Sequence, residues 1–141
     1  MKTLYEATST AVGGRSGHIN TEDNKIDMSL STPESLGGDG GPGVNPEQLF
    51  GCAYAACFGG AMAAIAKKKR IDIGDDYSVS ATIAFCEDED GAFLEATLDC
   101  YIPKVDFNTG ESIINLAHEI CPFSKATEDN ITVTLNLLLD E

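Results

Sequence analysis

"NPEQLFGCAYAACFGGAMAAIAKKKR", residues 45–70, decides how the rest of the chain has to be arranged. Asn45 stands where an N-cap belongs, Pro46 suits the first helical position, and Glu47 sits near the positive end of a helix dipole. From Leu49 to Ala66 there are 18 residues without a charge, after which Lys67-Lys68-Lys69-Arg70 place cations at the negative end. The segment predicts one long helix. A stretch of that length reaches the threshold for a membrane span. It is mostly alanine and glycine, however, and it lies between acidic, strand-like segments. A central helix buried on nearly all sides fits those surroundings, with small residues that let a second helix approach closely.

Upstream, "KIDMSLST" alternates Ile26, Met28 and Leu30 with polar residues, as a half-buried strand does. "GGRSG" (13–17) reads as a turn between two such strands. "LGGDGGPG" (36–43) is loop, because its glycines and proline exclude regular structure, and it lacks the pattern of a phosphate-binding loop. Downstream, Tyr77, Val79, Ala81, Ile83 and Phe85 alternate, "EDEDG" turns the chain, and "AFLEATLDCYI" alternates again. That pair predicts an antiparallel hairpin. Asn108 and Glu111 have capping-box spacing. Ile113, Ile114, Ala117, Ile120 and Cys121 then keep helical period up to Pro122. A last strand carries Ile131, Val133, Leu135, Leu137 and Leu139. Strands grouped around two helices predict an α+β fold, and not the βαβ repeat of a parallel sheet.

A length of 141 residues fits a single domain over 1–141. Nine basic against 23 acidic residues leave a net charge of −14. Such a field repels phosphate backbones and anionic bilayers, so neither nucleic acid nor a membrane surface is expected as a partner. "MKTLYEATSTA" has no apolar stretch of signal-peptide type, which predicts a cytoplasmic protein. The five cysteines, at 52, 57, 86, 100 and 121, form no C-x-x-C pair and no zinc-like spacing. In a reducing compartment they read as free thiols, and no metal site is expected.

Cys100 shares a strand face with Leu94, Ala96, Leu98 and Ile102, so it reads as core filler; Cys86 falls on the face of Ser80, Thr82 and Ala84 and reads as passive. Cys52 lies about 140° round the helix from Cys57 and faces elsewhere. His18 and His118 read as surface or packing residues. Cys57, in mid-helix, and Cys121, at the end of the second helix, stand apart. Their sulfurs can meet if the two helices pack side by side, which for a disulfide needs Cα atoms within about 7 Å. Reactivity needs a thiolate, and burial alone keeps a thiol neutral. Cys57 lies about three turns into its helix, beyond the reach of that helix's own dipole. An active Cys57 therefore requires a cation from elsewhere, and Arg15 in "GGRSG" is the candidate.

Taken together, "GGRSG", "STPESLGGDGGPGVNPEQLF…AYAACFGGAM" and "AHEICPFSKAT" resemble the organic hydroperoxide resistance proteins, within the superfamily of osmotically inducible protein C. The resemblance covers essentially the whole chain, in order. It implies an intertwined homodimer in which antiparallel sheets wrap around two central helices. It also implies a thiol-dependent peroxidase with no bound cofactor. Cys57 would be the peroxidatic thiolate and Cys121 the resolving thiol that closes a Cys57–Cys121 disulfide. Arg15 would stabilise the thiolate and the departing oxygen, and Glu47 would orient that guanidinium. Substrates would be organic hydroperoxides, fatty-acid ones included, and dihydrolipoyl groups on a lipoylated protein would act as reductant. Phe50, Tyr54, Phe58 and Phe123 would line an apolar substrate pocket. Spacing sets one condition: Glu47 is about 15 Å along the helix axis from Cys57, so either Arg15 bridges the gap or the helix begins later. Two rivals stay open: a peroxidase of the osmotically inducible branch with a broader peroxide preference, and a non-catalytic binder of apolar ligands.

Overall fold

The computed structural model describes residues 1–139 and divides into two compact units, Met1–Leu49 and Phe50 onward.

In the first unit, β1 (Ser9–Val12), β2 (His18–Thr21) and β3 (Asp27–Ser29) form an antiparallel sheet in that order. "GGRSG" is the turn between β1 and β2, a short 3-10 segment over Gly14–Ser16. Gly13 and Gly14 have φ of 82° and 60°, the left-handed region that glycine enters without a Cβ clash. The expected strand at "KIDMSLST" is short, and Ile26 and Met28 are largely exposed while Leu30 is buried. Strands of three and four residues leave little of that face covered within the unit. The glycine-rich loop folds back along the end of β3: Ser31 N–H donates to Val44 O and Val44 N–H to Ser29 O, each at 3.0 Å. A Cβ on Gly43 would lie 2.5 Å from the Leu30 carbonyl carbon, which explains a glycine there.

Helix α1 runs Pro46–Lys68. Its start is a reciprocal capping box: Gln48 N–H donates to Asn45 Oδ1 at 2.9 Å, and Asn45 N–H donates to Gln48 Oε1 at 3.0 Å. At its end Ile71 N–H reaches Ala66 O and Arg70 N–H reaches Lys67 O, with Arg70 left-handed at φ 58°. This is the helix-terminating pattern usually built on glycine. By length and composition α1 could cross a membrane. The expected burial on nearly all sides is not found. Tyr54, Phe58, Ala61, Met62, Ile65 and Ala66 form one buried stripe, whereas Cys52, Ala56, Gly60 and Ala64 are exposed.

The second unit packs that stripe against a three-stranded sheet and α2 (Phe107–Ile120). β4 (Ser78–Asp88) and β5 (Gly91–Tyr101) are the predicted hairpin, in register from Ser78↔Tyr101 to Asp88↔Gly91. Ala96, Leu98, Cys100 and Ile102 form the buried row. At the hairpin tip the alternation inverts, with Phe85 exposed and Cys86 half-buried. The third strand pairs only from Glu95 onward, so the tip lies beyond it. That strand, β6 (Thr132–Leu138), runs parallel to β5, from Glu95↔Thr132 to Tyr101↔Leu138. The sheet is therefore mixed, and the expectation of antiparallel sheets alone is corrected. α2 and the short α3 (Pro122–Thr127) make the long crossover that a parallel neighbour needs.

Helix α2 also starts before its expected cap. Asp106 is the N-cap, accepting from Thr109 N–H at 2.8 Å, and Asn108 lies inside the helix. The spacing that pointed to Asn108 is met better by the carboxylate two residues upstream. Asp106→Ala should lower the denaturant-unfolding midpoint clearly more than Asn108→Ala; equal losses would return the cap to Asn108.

Candidate functional site

Two pieces of chemistry stand out, one in each unit. In the first, Arg15 and Glu47 form a bidentate ion pair: Nη1 donates to Oε2 at 3.0 Å and Nη2 to Oε1 at 2.7 Å. Planar guanidinium and carboxylate match in this arrangement, which fixes orientation as well as contact. Glu47 is held in the first turn of α1, where a negative charge is favoured, and its side chain is 14% exposed against 42% for Arg15. Arg15 is carried by the glycine turn, which Thr32 ties down through a contact of 3.1 Å to Ser16 Oγ and a donation of 3.4 Å to the Arg15 carbonyl. The hydrogen bonds from Arg15 hold the Glu47 carboxyl below its ordinary value, and the same pairing holds the guanidinium above its own.

In the second unit, Cys121 Sγ donates to Cys57 Sγ at 3.4 Å. Both are free thiols, Cys57 half-buried and Cys121 fully buried. The two helices do bring the sulfurs together, although they lie farther apart than the roughly 2.05 Å of a disulfide. Burial pushes the Cys57 thiol above its ordinary value, and the neighbouring Cys121 pushes in the same direction. The Phe123 backbone N–H, a hydrogen-bond donor to Cys57, pulls the other way.

That donor follows from "CPFS". Cys121 precedes α3 and Pro122 takes its first position with no N–H to give, so Phe123 carries the first amide at that helix end. A proline at the start of a helix was the available signal, and reading Pro122 only as the end of α2 passes over it. Cys100 is the contrasting thiol: burial, with Asp99 nearby, pushes it up to about 12. It is inert filler, as its strand face predicts. Cys52 is exposed on α1 and Cys86 half-buried on β4.

Phe50, Tyr54, Phe58 and Phe123 form one aromatic cluster. Phe123 lies 6.5 Å from Phe50 and 6.0 Å from Tyr54, and Tyr54 lies 6.0 Å from Phe50 and 6.5 Å from Phe58. Tyr54 and Phe58 are fully buried, while Phe50 and Phe123 are partly so. His118 is half-buried with its ring 6.4 Å from Phe58, in keeping with a packing residue, and its Nδ1 also lies 2.8 Å from Ser124 Oγ, a connection periodicity does not reveal. His18 is exposed and paired with Asp27. Among the described residues no three His, Cys, Asp or Glu side chains are grouped to hold a metal ion.

Residues 37–136 match the OsmC-like protein family. An organic hydroperoxide resistance protein of Xanthomonas axonopodis pv. citri is 41% identical over 136 residues, covering 96% of each chain. The crystal structure of the organic hydroperoxide resistance protein OhrB of Bacillus subtilis superposes with a TM-score of 0.88 at 38% identity, over 96% of this chain and 100% of that one. One from Elizabethkingia anophelis gives 0.93 at 36%, over 99% and 100%. The α+β fold is that of these structures. The chain belongs to the OsmC-like family, as a full-length homologue of the organic hydroperoxide resistance proteins.

Proposed function

We propose that this protein is a cysteine-based peroxidase that reduces organic hydroperoxides, fatty-acid hydroperoxides among them, to alcohols. The observation that carries the reading is the pair of sulfurs at 3.4 Å, in a homologue of organic hydroperoxide resistance proteins. In this reading the Cys57 thiolate attacks the terminal peroxide oxygen, the O–O bond breaks, and the alkoxide leaves as the alcohol after taking a proton. Cys57 is left as a sulfenic acid. The Cys121 thiol then displaces its hydroxyl as water and closes the Cys57–Cys121 disulfide. A dihydrolipoyl-type dithiol, carried on a lipoylated protein, returns the pair to thiols, and no bound cofactor takes part.

The thiol of Cys57 needs help to ionise, since burial holds it above its ordinary value. Arg15 supplies the positive charge in this proposal, and Glu47 keeps its guanidinium in one plane. Each pKa unit gained is about 1.4 kcal/mol of preference for the thiolate. Phe50 and Phe123, the partly buried members of the aromatic cluster, provide apolar surface suited to an alkyl chain, with Tyr54 and Phe58 packed behind them. The working form is a homodimer in the cytoplasm. The exposed small residues Cys52, Ala56, Gly60 and Ala64 on α1 support a second copy packing against that helix.

Reduced protein treated with one equivalent of cumene hydroperoxide should yield a Cys57–Cys121 linkage within one chain, read by peptide mass spectrometry; unchanged thiols would end the peroxidase reading. Cys121→Ser should still consume the first equivalent and then pass to sulfinic acid at Cys57 with further peroxide. The Arg15–Glu47 pair also has a pH signature. Glu47 is lowered in the folded protein, so the pair's stabilisation is whole above the ordinary carboxylate pKa and is lost as pH falls through the lowered one. Wild type should therefore be more stable than Glu47→Gln near neutrality, with the two converging only in strongly acid solution.

A further inference from the structure

Beside the sulfur pair lies a polar assembly that the peroxidase reading leaves unused. Tyr54 OH is 2.7 Å from Ser124 Oγ, and His118 Nδ1 is 2.8 Å from the same oxygen. Thr127 Oγ1 lies 3.5 Å from Tyr54 OH and donates to the Ser124 carbonyl at 3.0 Å. Tyr54 is wholly buried, Ser124 and Thr127 are nearly so, and His118 is half-buried. Three helices meet at one serine: α1 through Tyr54, α2 through His118, and α3 through Ser124 itself. Leaving any of these buried hydroxyls without a partner is costly, so the three helices are tied at a fixed spacing.

What is tied is the segment that addresses Cys57. α3 is only six residues long and has no side-chain cap at its start. A helix of that length does not hold itself together in water. Yet its entry carries both the Cys121 sulfur and the Phe123 N–H that meet Cys57. Ser124 is the next residue and lies one turn beyond Cys121, so whatever fixes Ser124 fixes that turn. The two sulfurs must close from 3.4 Å to about 2.05 Å for the disulfide to form. Misplacement of reacting groups by about 1 Å costs on the order of a hundredfold in rate.

We propose that the Tyr54–Ser124–His118 clasp is a positioning device for the resolving step. It rests on the peroxidase reading above. In that step a bond forms between the Cys121 and Cys57 sulfurs and the Cys57 S–O bond breaks. The hydroxyl leaves as water with the Cys121 proton; Cys121 is oxidised and the sulfenic sulfur reduced. The clasp touches none of these atoms. It holds the turn that presents Cys121, and so governs closure more than it governs the first attack.

The test is single-turnover oxidation of the reduced, full-length protein by cumene hydroperoxide. Samples are quenched at intervals with an alkylating reagent and read by intact mass, which separates sulfenic, disulfide and sulfinic forms. Ser124→Ala and His118→Leu should slow closure about tenfold or more relative to sulfenic acid formation, and divert Cys57 to sulfinic acid. His118→Asn keeps a polar atom close to the place of Nδ1 and should close within about twofold of wild type. If Ser124→Ala fails to fold, the two His118 variants decide. Closure at the wild-type rate in His118→Leu, or equal slowing in the Leu and Asn variants, would overturn the clasp while leaving the wild-type disulfide, and the peroxidase reading, intact. A wild-type protein that forms no disulfide would overturn both.

Discussion

The desolvation of Cys57 is the constraint from which the rest follows. Its sulfur sits among the helices of the second unit, with Cys121 against it and the Phe123 amide directed at it. Burial favours the uncharged thiol, and one backbone donor offsets only part of that preference. A peroxidase needs the thiolate. Any catalytic role for Cys57 therefore implies a positive charge, and the chain has few to offer, with nine basic residues against 23 acidic. Four of those nine cluster around the end of α1 at 67–70, and Arg15 stands in a glycine turn, locked to a carboxylate by two hydrogen bonds.

Burial also suits the second half of the proposed cycle. A resolving thiol that is fully buried and already in contact with its partner is shielded from adventitious oxidants. It nevertheless needs only a short closure once Cys57 is oxidised. That economy depends on the geometry of a six-residue helix with no side-chain cap of its own. The proline before Phe123 removes one amide and leaves the next for the sulfur, while hydroxyls one turn on tie the helix to α1 and α2.

Much of this was legible in the residues. The long helix, the glycine turn with Arg15 and the hairpin all follow from caps, alternation and helical period, whereas the meeting of the Cys57 and Cys121 sulfurs depends on how the helices pack. What escaped was decided by tertiary context. Asp106 outcompeted Asn108 as a cap because its carboxylate reaches Thr109 N–H, a choice that spacing alone does not rank. The direction of β6 depends on where α2 and α3 deliver the chain, and alternation is identical in parallel and antiparallel strands. Burial of α1 was overread because small residues permit close packing without requiring it within one chain. Within the site, side-chain identity pointed to the thiols. The Phe123 amide and the Tyr54–Ser124–His118 contacts are properties of folded geometry, invisible in periodicity.

Titration of Cys57 tests the central claim most directly. Thiolate absorbance of the fully reduced protein would be followed against pH, with Cys57→Ser subtracted to isolate the one sulfur and Arg15→Ala run beside it. With the Arg15 charge acting on it, Cys57 should ionise below the range of an ordinary thiol, and move back up when Arg15 is replaced. A Cys57 that titrates at or above 8.5 in the intact protein, unmoved by Arg15→Ala, would contradict the proposed activation and leave the thiol as buried packing.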